Sequence, residues 1–279
     1  ILNDRKDIDV VAINDLFDNE VLGYLLKYDT IMKGFGQNIT IKGDELITPD
    51  ETVKMLAIKD PKMLPWKELG IDVVVEATGI FRSRESLQTH IDAGAKRVIL
   101  TVPSKDEIDY TVVIGVNEDG LKPEHKIISN ASCTTNCLAP MAKVLHDNFG
   151  IIEGLMTTTH AYTNDQRLAD VPHKDWRRGR AAAVFDQIVE VEKDVTVEEV
   201  NAAVRMAAKT DRMINVLLYS EEKLVSSDIV GNSYSSIYDP EFTRVVGKRI
   251  IKTLNWYDNE WGYSNRVVDL IGLFMKFDK

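Results

Sequence analysis

The chain has 279 residues, 44% of them hydrophobic and 28% charged, with a formal net charge of −10 at pH 7. This length is sufficient for two domains. The acidic balance argues against nucleic-acid binding as the main activity but does not exclude a local basic pocket for a small anion. Its two cysteines, in a C-x3-C spacing, form neither a disulfide framework nor a convincing zinc motif. We see no membrane-length apolar run or signal peptide and expect a cytoplasmic protein.

The first half of the chain alternates strand-like apolar runs with amphipathic helices. Helices are predicted at 18–28 and 83–93, and strands at 8–16, 71–76, 97–101, 111–115 and 126–129. Short antiparallel strands that branch off the main sheet are predicted within 38–58. This alternation is typical of a Rossmann-like, doubly wound α/β sheet. Ligands of such sheets bind beyond the carboxyl ends of the strands. Four polar residues lie at predicted strand ends, namely Asp15, Thr78, Thr101 and Cys133.

Asp15 follows the apolar run 8–13. An acidic residue at the end of the second strand of a dinucleotide-binding unit accepts hydrogen bonds from the adenosine ribose. It would also repel a 2′-phosphate, so NAD is favoured over NADP. The alternative is a loop Asp that caps the helix that follows it.

Cys133 lies in the segment Ser-Asn-Ala-Ser-Cys-Thr-Thr-Asn-Cys, residues 129–137. Apolar residues recur at helical spacing after it, so Cys133 is predicted in the first turn of a helix. Free backbone N–H groups and the helix dipole favour a thiolate there, and the thiolate is the nucleophilic form. The alternative is a small buried cysteine with a packing role.

The second half has more strands and fewer helices, which predicts an α+β domain with an antiparallel sheet. Helices are predicted at 197–208 and 265–279, and strands at 152–159, 188–192, 215–219, 225–230 and 250–257. His160 follows the first of these strands. The segment 172–180 is basic and aromatic, and its Arg residues are suited to a phosphate site. An interface or a solvated loop is the alternative for this segment.

Five segments together resemble phosphorylating glyceraldehyde-3-phosphate dehydrogenase. They are SNASCTTNCLAP (129–140), TTTHAYTND (157–165), HKDWRRGRAAA (173–183), VSSDIVG (225–231) and WYDNEWGYSNRVVDL (256–270). The resemblance implies an NAD-binding domain over 1–131, completed by the C-terminal helix 262–279, and a catalytic domain over 132–261. It also implies a homotetramer, assembled through the sheet of the catalytic domain.

The resemblance further implies roles for individual residues. Cys133 would be the nucleophile and His160 its base, while Cys137 would have no chemical step of its own. The cofactor would contact Asp15, Thr101, Asn259 and Tyr263. The phosphorylated aldehyde and inorganic phosphate would contact Ser132, Thr134, Thr163 and Arg180. The implied reaction converts glyceraldehyde 3-phosphate to 1,3-bisphosphoglycerate with reduction of NAD, through a cysteine thiohemiacetal and a thioester.

The chain departs from this family at two places. It begins at Ile1, after the position of the family's Gly-rich turn, and contains no G-x-G-x-x-G motif. After Val184 it passes directly to a segment that normally follows a long intervening stretch. One interpretation is an incomplete copy of the sequence, and another is a real deletion variant. The alternatives in function are an erythrose-4-phosphate dehydrogenase and a truncated relative that is non-catalytic or esterase-like.

Overall fold

The computed structural model describes residues 5–29, 34–160 and 186–278. The chain divides into two compact units. The first unit comprises residues 1–112, 117–132 and 264–279, and the second comprises 113–116 and 133–263.

Eight strands of the first unit form two four-stranded sheets. They are β1 (Ala12–Asn14), β2 (Thr40–Lys42), β3 (Glu45–Ile47), β4 (Thr52–Leu56), β5 (Val73–Glu76), β6 (Arg97–Leu100), β7 (Tyr110–Thr111) and β8 (Ile127–Ser129). The order β5-β6-β8-β7 is parallel throughout. In the order β1-β4-β3-β2, β1 and β4 are parallel and the other pairs are antiparallel. The predicted α/β class is confirmed, although the strands form two separate sheets instead of one.

Three helices of this unit are α1 (Asn19–Lys27), α2 (Trp66–Leu69) and α3 (Arg84–Asp92). Local polar contacts fix where α1 and α3 begin. The Asp18 carboxylate accepts hydrogen bonds from the first turn of α1, and Ser83 and Ser86 form a capping box at α3. Each such cap stabilises a helix by about 1 kcal/mol. The apolar faces pack into a core that includes Trp66, Leu87 and Val98.

The second unit carries the antiparallel sheet predicted for the catalytic half. Its helices are α4 (Cys133–Phe149), α5 (Val197–Ala207) and the start of α6 (Trp261–Met275), and its strands are β9 (Ile151–Thr157), β10 (Asp186–Val191), β11 (Leu217–Tyr219), β12 (Ser236–Tyr238), β13 (Arg244–Val246), β14 (Ile250–Thr253) and β15 (Asn255–Trp256). The order β13-β14-β10-β9 is antiparallel throughout. A second sheet has the order β11-β12-β15. One face of α4 packs with α5 and these strands in a core that includes Met141, Val200 and Ile251.

Several strand predictions were wrong in extent or type, and β1 covers only Ala12–Asn14 of the predicted strand 8–16. The predicted strand 111–115 ends at Thr111, because the chain turns and the Val116 N–H bonds the Val113 carbonyl. The predicted strand 225–230 contains a 3₁₀ helix, Ser226–Asp228, whose Asp228 carboxylate accepts the Val225 N–H. The run 250–257 is divided between β14 and β15, which belong to different sheets. Side-chain to backbone bonds and turns override β propensity at such places.

Across the described ranges, no helix is both long and apolar enough to cross a lipid bilayer. The same ranges contain no group of three or more His, Cys, Asp and Glu side chains that could hold a metal ion.

Candidate active site

Cys133 is the first residue of α4, four positions after the end of β8. The intervening turn is tight: Ala131 is buried and has a φ of 53°, in the left-handed region that non-glycine residues rarely adopt. Its N–H donates to the Ser129 hydroxyl at 3.0 Å. A residue in this backbone conformation costs about 1–3 kcal/mol of stability. The conformation persists only where the surrounding structure holds it in place. The turn therefore places Cys133, preceded by Ser132, at the helix start.

The Cys133 sulfur lies 3.1 Å from Nε2 of His160. His160 follows β9, and both side chains are partly exposed. A thiol beside an imidazole nitrogen is the arrangement in which a base takes the proton of a nucleophile. The contact thus unites the two residues that the resemblance assigns to catalysis.

Tyr257 completes this cluster and was not identified from the sequence. Its hydroxyl lies 2.9 Å from the Thr134 hydroxyl and 3.4 Å from the Thr158 hydroxyl. Its ring meets the His160 ring edge-on, with centroids 5.8 Å apart. Burial raises the pKa of the Tyr257 phenol, which therefore stays neutral near pH 7. Its place in the segment WYDNEWGYSN was the available signal, but that pattern does not indicate its partners.

Cys137 lies one helical turn after Cys133 and is fully buried. Its sulfur lies 3.6 Å from the Ser236 hydroxyl. Burial raises the pKa of the Cys137 thiol to about 12. Because only the thiolate is strongly nucleophilic, the Cys137 thiol is unreactive near pH 7.

Asn259 lies between β15 and α6, in a loop that is held by its neighbour Asp258. The buried Asp258 carboxylate accepts the N–H groups of Gly231, Glu260 and Trp261, each at 2.8 Å. Tyr263 follows in the first turn of α6, after Gly262, where an added Cβ would lie only 2.7 Å from the Tyr234 carbonyl oxygen. The hydrogen bonds that the Asp258 carboxylate accepts from backbone N–H groups thus hold the loop and the start of α6. Asp258 is a second residue that sequence reasoning missed.

In the first unit, Asp15 and Thr101 each follow the carboxyl end of a strand, β1 and β6 respectively. The Asp15 carboxylate is partly exposed and is oriented by the Phe17 N–H at 3.0 Å. The Thr101 hydroxyl donates to the Glu76 carbonyl oxygen at 3.1 Å. A fixed, accessible carboxylate and threonines at strand ends are a donor and acceptor set that suits a ribose and a dinucleotide.

Thr163, Arg180 and the rest of the basic segment 172–180 lie outside the described residues. The junction between Val184 and Phe185 lies there too. The phosphate contacts expected of Thr163 and Arg180 therefore stay sequence-based predictions.

Two family models match the sequence. The model described as "Glyceraldehyde 3-phosphate dehydrogenase, NAD binding domain" matches residues 1–84. The model described as "Glyceraldehyde 3-phosphate dehydrogenase, C-terminal domain" matches in two pieces, residues 132–185 and 183–259. The division near residue 184 agrees with the internal segment predicted to be lacking after Val184.

The chain is also similar to proteins named glyceraldehyde-3-phosphate dehydrogenase from three bacteria. It is 48% identical to the Thermotoga maritima protein over 99% of this chain and 94% of that protein. The identity is 45% for Streptomyces coelicolor, over 97% and 92%, and 46% for Geobacillus stearothermophilus, over 95% and 90%. The first alignment spans 316 positions against 279 residues, so at least 37 positions hold no residue of this chain.

Proposed function

Because this chain belongs to the glyceraldehyde-3-phosphate dehydrogenase family, we propose that it is an NAD-dependent phosphorylating aldehyde dehydrogenase. Its substrates are glyceraldehyde 3-phosphate and inorganic phosphate, and its product is 1,3-bisphosphoglycerate. The observation that carries the proposal is the 3.1 Å contact between the Cys133 sulfur and the His160 imidazole at the start of α4.

Cys133 acts as the nucleophile. Its thiolate adds to the aldehyde carbon, forming a C–S bond as the C=O double bond opens, and the new alkoxide takes the proton that His160 removed from the thiol, which gives the thiohemiacetal. We assign the stabilisation of that oxygen to the Cys133 backbone N–H and to the His160 imidazole, which lies 3.1 Å from the sulfur. This electrostatic stabilisation acts where charge develops during the addition.

His160 acts as the base of the oxidation. It takes the hydroxyl proton of the thiohemiacetal, so that the carbon becomes a thioester as its hydride departs. The nicotinamide ring of bound NAD supplies the acceptor for that hydride. Phosphate then attacks the thioester carbon, the C–S bond breaks, and the Cys133 thiolate is released for the next cycle. Ser132, Thr134, Thr163 and Arg180 are proposed to hold the substrate phosphate and inorganic phosphate.

Four residues are assigned to the cofactor. Asp15 and Thr101, at strand ends of the first unit, are assigned to the cofactor, with Asp15 on the adenosine ribose. Asn259 is assigned to the nicotinamide carboxamide, with Tyr263 packing nearby. The fixed Asp15 carboxylate and the Asp258-anchored loop that carries Asn259 support these assignments. We further propose that residues 1–131 with the helix 262–279 form the NAD-binding domain and that 132–261 form the catalytic domain.

A homotetramer is proposed on the basis of the exposed face of the sheet β13-β14-β10-β9. Leu155 and Ile188 are cross-strand neighbours on this sheet, and Leu155 is 77% exposed. Val246 and Ile250, which are exposed cross-strand neighbours, lie on the same face, because Ile250 pairs with Glu190, two positions after Ile188. Exposed apolar side chains on one face of a sheet are typical of an interaction surface. The cytoplasm is the proposed location, since a reducing compartment keeps the accessible Cys133 thiol free.

The proposal is tested by following NADH absorbance in purified protein supplied with NAD, glyceraldehyde 3-phosphate and phosphate. We expect phosphate-dependent NADH formation in the wild-type protein and none in Cys133→Ser. Cys137→Ser is the matched control and should retain most of the rate. A wild-type protein without phosphate-dependent turnover, or an active Cys133→Ser variant, would contradict the proposal. Replacing the triose with erythrose 4-phosphate in the same assay compares the two aldehyde substrates.

A further inference from the structure

A chain of buried hydrogen bonds runs below the carboxyl end of β5. The Trp66 indole N–H donates to Nδ1 of His90 at 3.1 Å. Nε2 of His90 lies 3.1 Å from Oε2 of Glu76, and Oε1 of Glu76 accepts the Thr78 N–H at 2.8 Å. Trp66, His90 and Glu76 are each at most 5% exposed. A network of hydrogen-bonded, buried polar side chains restricts the orientation of each of its members.

The direction of this chain of bonds is fixed by its first member. An indole N–H can only donate, so Nδ1 of His90 must be the bare, accepting nitrogen. Nε2 then carries the proton and donates to the Glu76 carboxylate. A proton on Nδ1 would face the indole N–H, so these bonds favour the single tautomer that has its proton on Nε2. Both oxygens of Glu76 act as acceptors, one from His90 and one from Thr78.

The carboxylate at the end of this chain holds an exposed turn. The Thr78 hydroxyl also bonds Oε1 of Glu76, and it accepts the Ile80 N–H at 3.1 Å. Gly79, between them, has a φ of 70°. The turn 77–80 follows β5, and next to it Thr101 bonds the Glu76 carbonyl. Its residues are all exposed, whereas Glu76 beneath them is buried.

We propose that Glu76 is a positioning residue for the dinucleotide: through Thr78 it presets the turn 77–80 at the ligand-binding edge of the sheet. His90 and Trp66 hold the carboxylate in the orientation that this requires. This inference rests on the proposed function, because it takes the cofactor to bind at the carboxyl ends of β5 and β6. Preorganisation of this kind raises affinity by removing the entropic cost of ordering the turn on binding.

The test uses Glu76→Gln, which keeps the shape but replaces one acceptor oxygen by an NH₂ donor. The new amide can satisfy either His90 or Thr78, so one donor must face another donor. In protein without cofactor, we expect amide hydrogen exchange in the 77–81 segment to rise at least tenfold. Calorimetric titration with NAD should show at least fivefold weaker binding. Unchanged exchange and unchanged NAD affinity in this variant would overturn the proposal.

A second substitution provides a rescue specific to the proposed bond direction. Trp66→Phe removes the indole donor, so His90 can carry its proton on Nδ1 and use Nε2 to accept from the amide that Glu76→Gln introduces. The double variant of Trp66→Phe and Glu76→Gln should therefore recover much of the exchange protection and NAD affinity. Trp66→Phe alone should lower the melting temperature and weaken NAD binding less than Glu76→Gln does, because Nε2 of His90 can still donate to the Glu76 carboxylate. A double variant no better than Glu76→Gln contradicts the assigned direction.

Thr78→Val gives a further test that does not disturb the buried core. It removes both hydroxyl bonds from an exposed position, and it should raise exchange in the 77–81 segment with little change in melting temperature. If the wild-type protein does not bind NAD, the proposed function fails, whereas the exchange measurements still report on Glu76. If it binds NAD and Thr78→Val leaves exchange unchanged, the positioning role fails alone.

Discussion

The Cys133 sulfur and Nε2 of His160 lie 3.1 Å apart although the residues are 27 positions apart in sequence. Two elements of similar length explain the contact. Helix α4 has 17 residues and β9 has 7, so they extend about 25 Å and about 23 Å respectively. Gly150, with a φ of 71°, reverses the chain between them. The end of β9 therefore returns to the level at which α4 begins.

The two cysteines are expected to differ sharply towards alkylating reagents. Cys133 is partly exposed beside His160, whereas Cys137 is fully buried with a pKa raised to about 12. Native protein treated with iodoacetamide should therefore gain one label at Cys133, and unfolded protein should gain two. Peptide mass spectrometry identifies the labelled residue. Rapid labelling of Cys137 in native protein would contradict this difference.

His160→Asn is expected to slow NAD reduction by about 10²–10⁴-fold, the usual contribution of a general base. The same variant should slow alkylation of Cys133 near pH 7, because the imidazole no longer accepts the thiol proton. Both rates are measured across a pH series. His125→Asn is the control, since His125 stacks on Tyr110 in the first unit. Equal rates in His160→Asn and wild type would remove His160 from the mechanism.

Asp109 is expected to make stability depend on pH. Burial acts to raise its pKa, but bonds from the Ile127 and Lys126 N–H groups and from Arg84 outweigh burial and lower the pKa. A pKa lowered by folding stabilises the protein above the unfolded pKa, and this stability is lost as pH falls through the folded value.

Asp109→Asn should accordingly lower the free energy of unfolding by about 1–3 kcal/mol near pH 7, because its single amide oxygen can accept either the two backbone N–H groups or the Arg84 guanidinium N–H, but not both. The difference from wild type should shrink in acid. Urea unfolding between pH 7 and pH 3 measures both effects. Asp119→Asn, on a nearby 3₁₀ helix, is the charge-matched control. A constant difference across this range would contradict the assignment.

Asp258→Asn is expected to weaken NAD binding through the loop that carries Asn259. The retained amide oxygen still accepts the Glu260 and Trp261 N–H groups, whereas the new NH₂ group faces the Gly231 N–H. The KM for NAD should rise several-fold, with a smaller change in kcat. Asp228→Asn, which also loses a carboxylate bound to a backbone N–H, is the control. A lower kcat at unchanged KM would instead place Asp258 in a chemical step.

The sequence alone determined the features that depend on near neighbours. Apolar periodicity predicted both kinds of sheet and placed Cys133 at a helix start, because these patterns act within one helix or strand. It could not determine that Tyr257 bonds Thr134, 123 positions away, or that Trp66, His90 and Glu76 form one line. It also could not foresee the 3₁₀ helix at Ser226–Asp228. Only the tertiary structure decided these points, because a donor and an acceptor meet only where packed elements bring them within hydrogen-bonding distance.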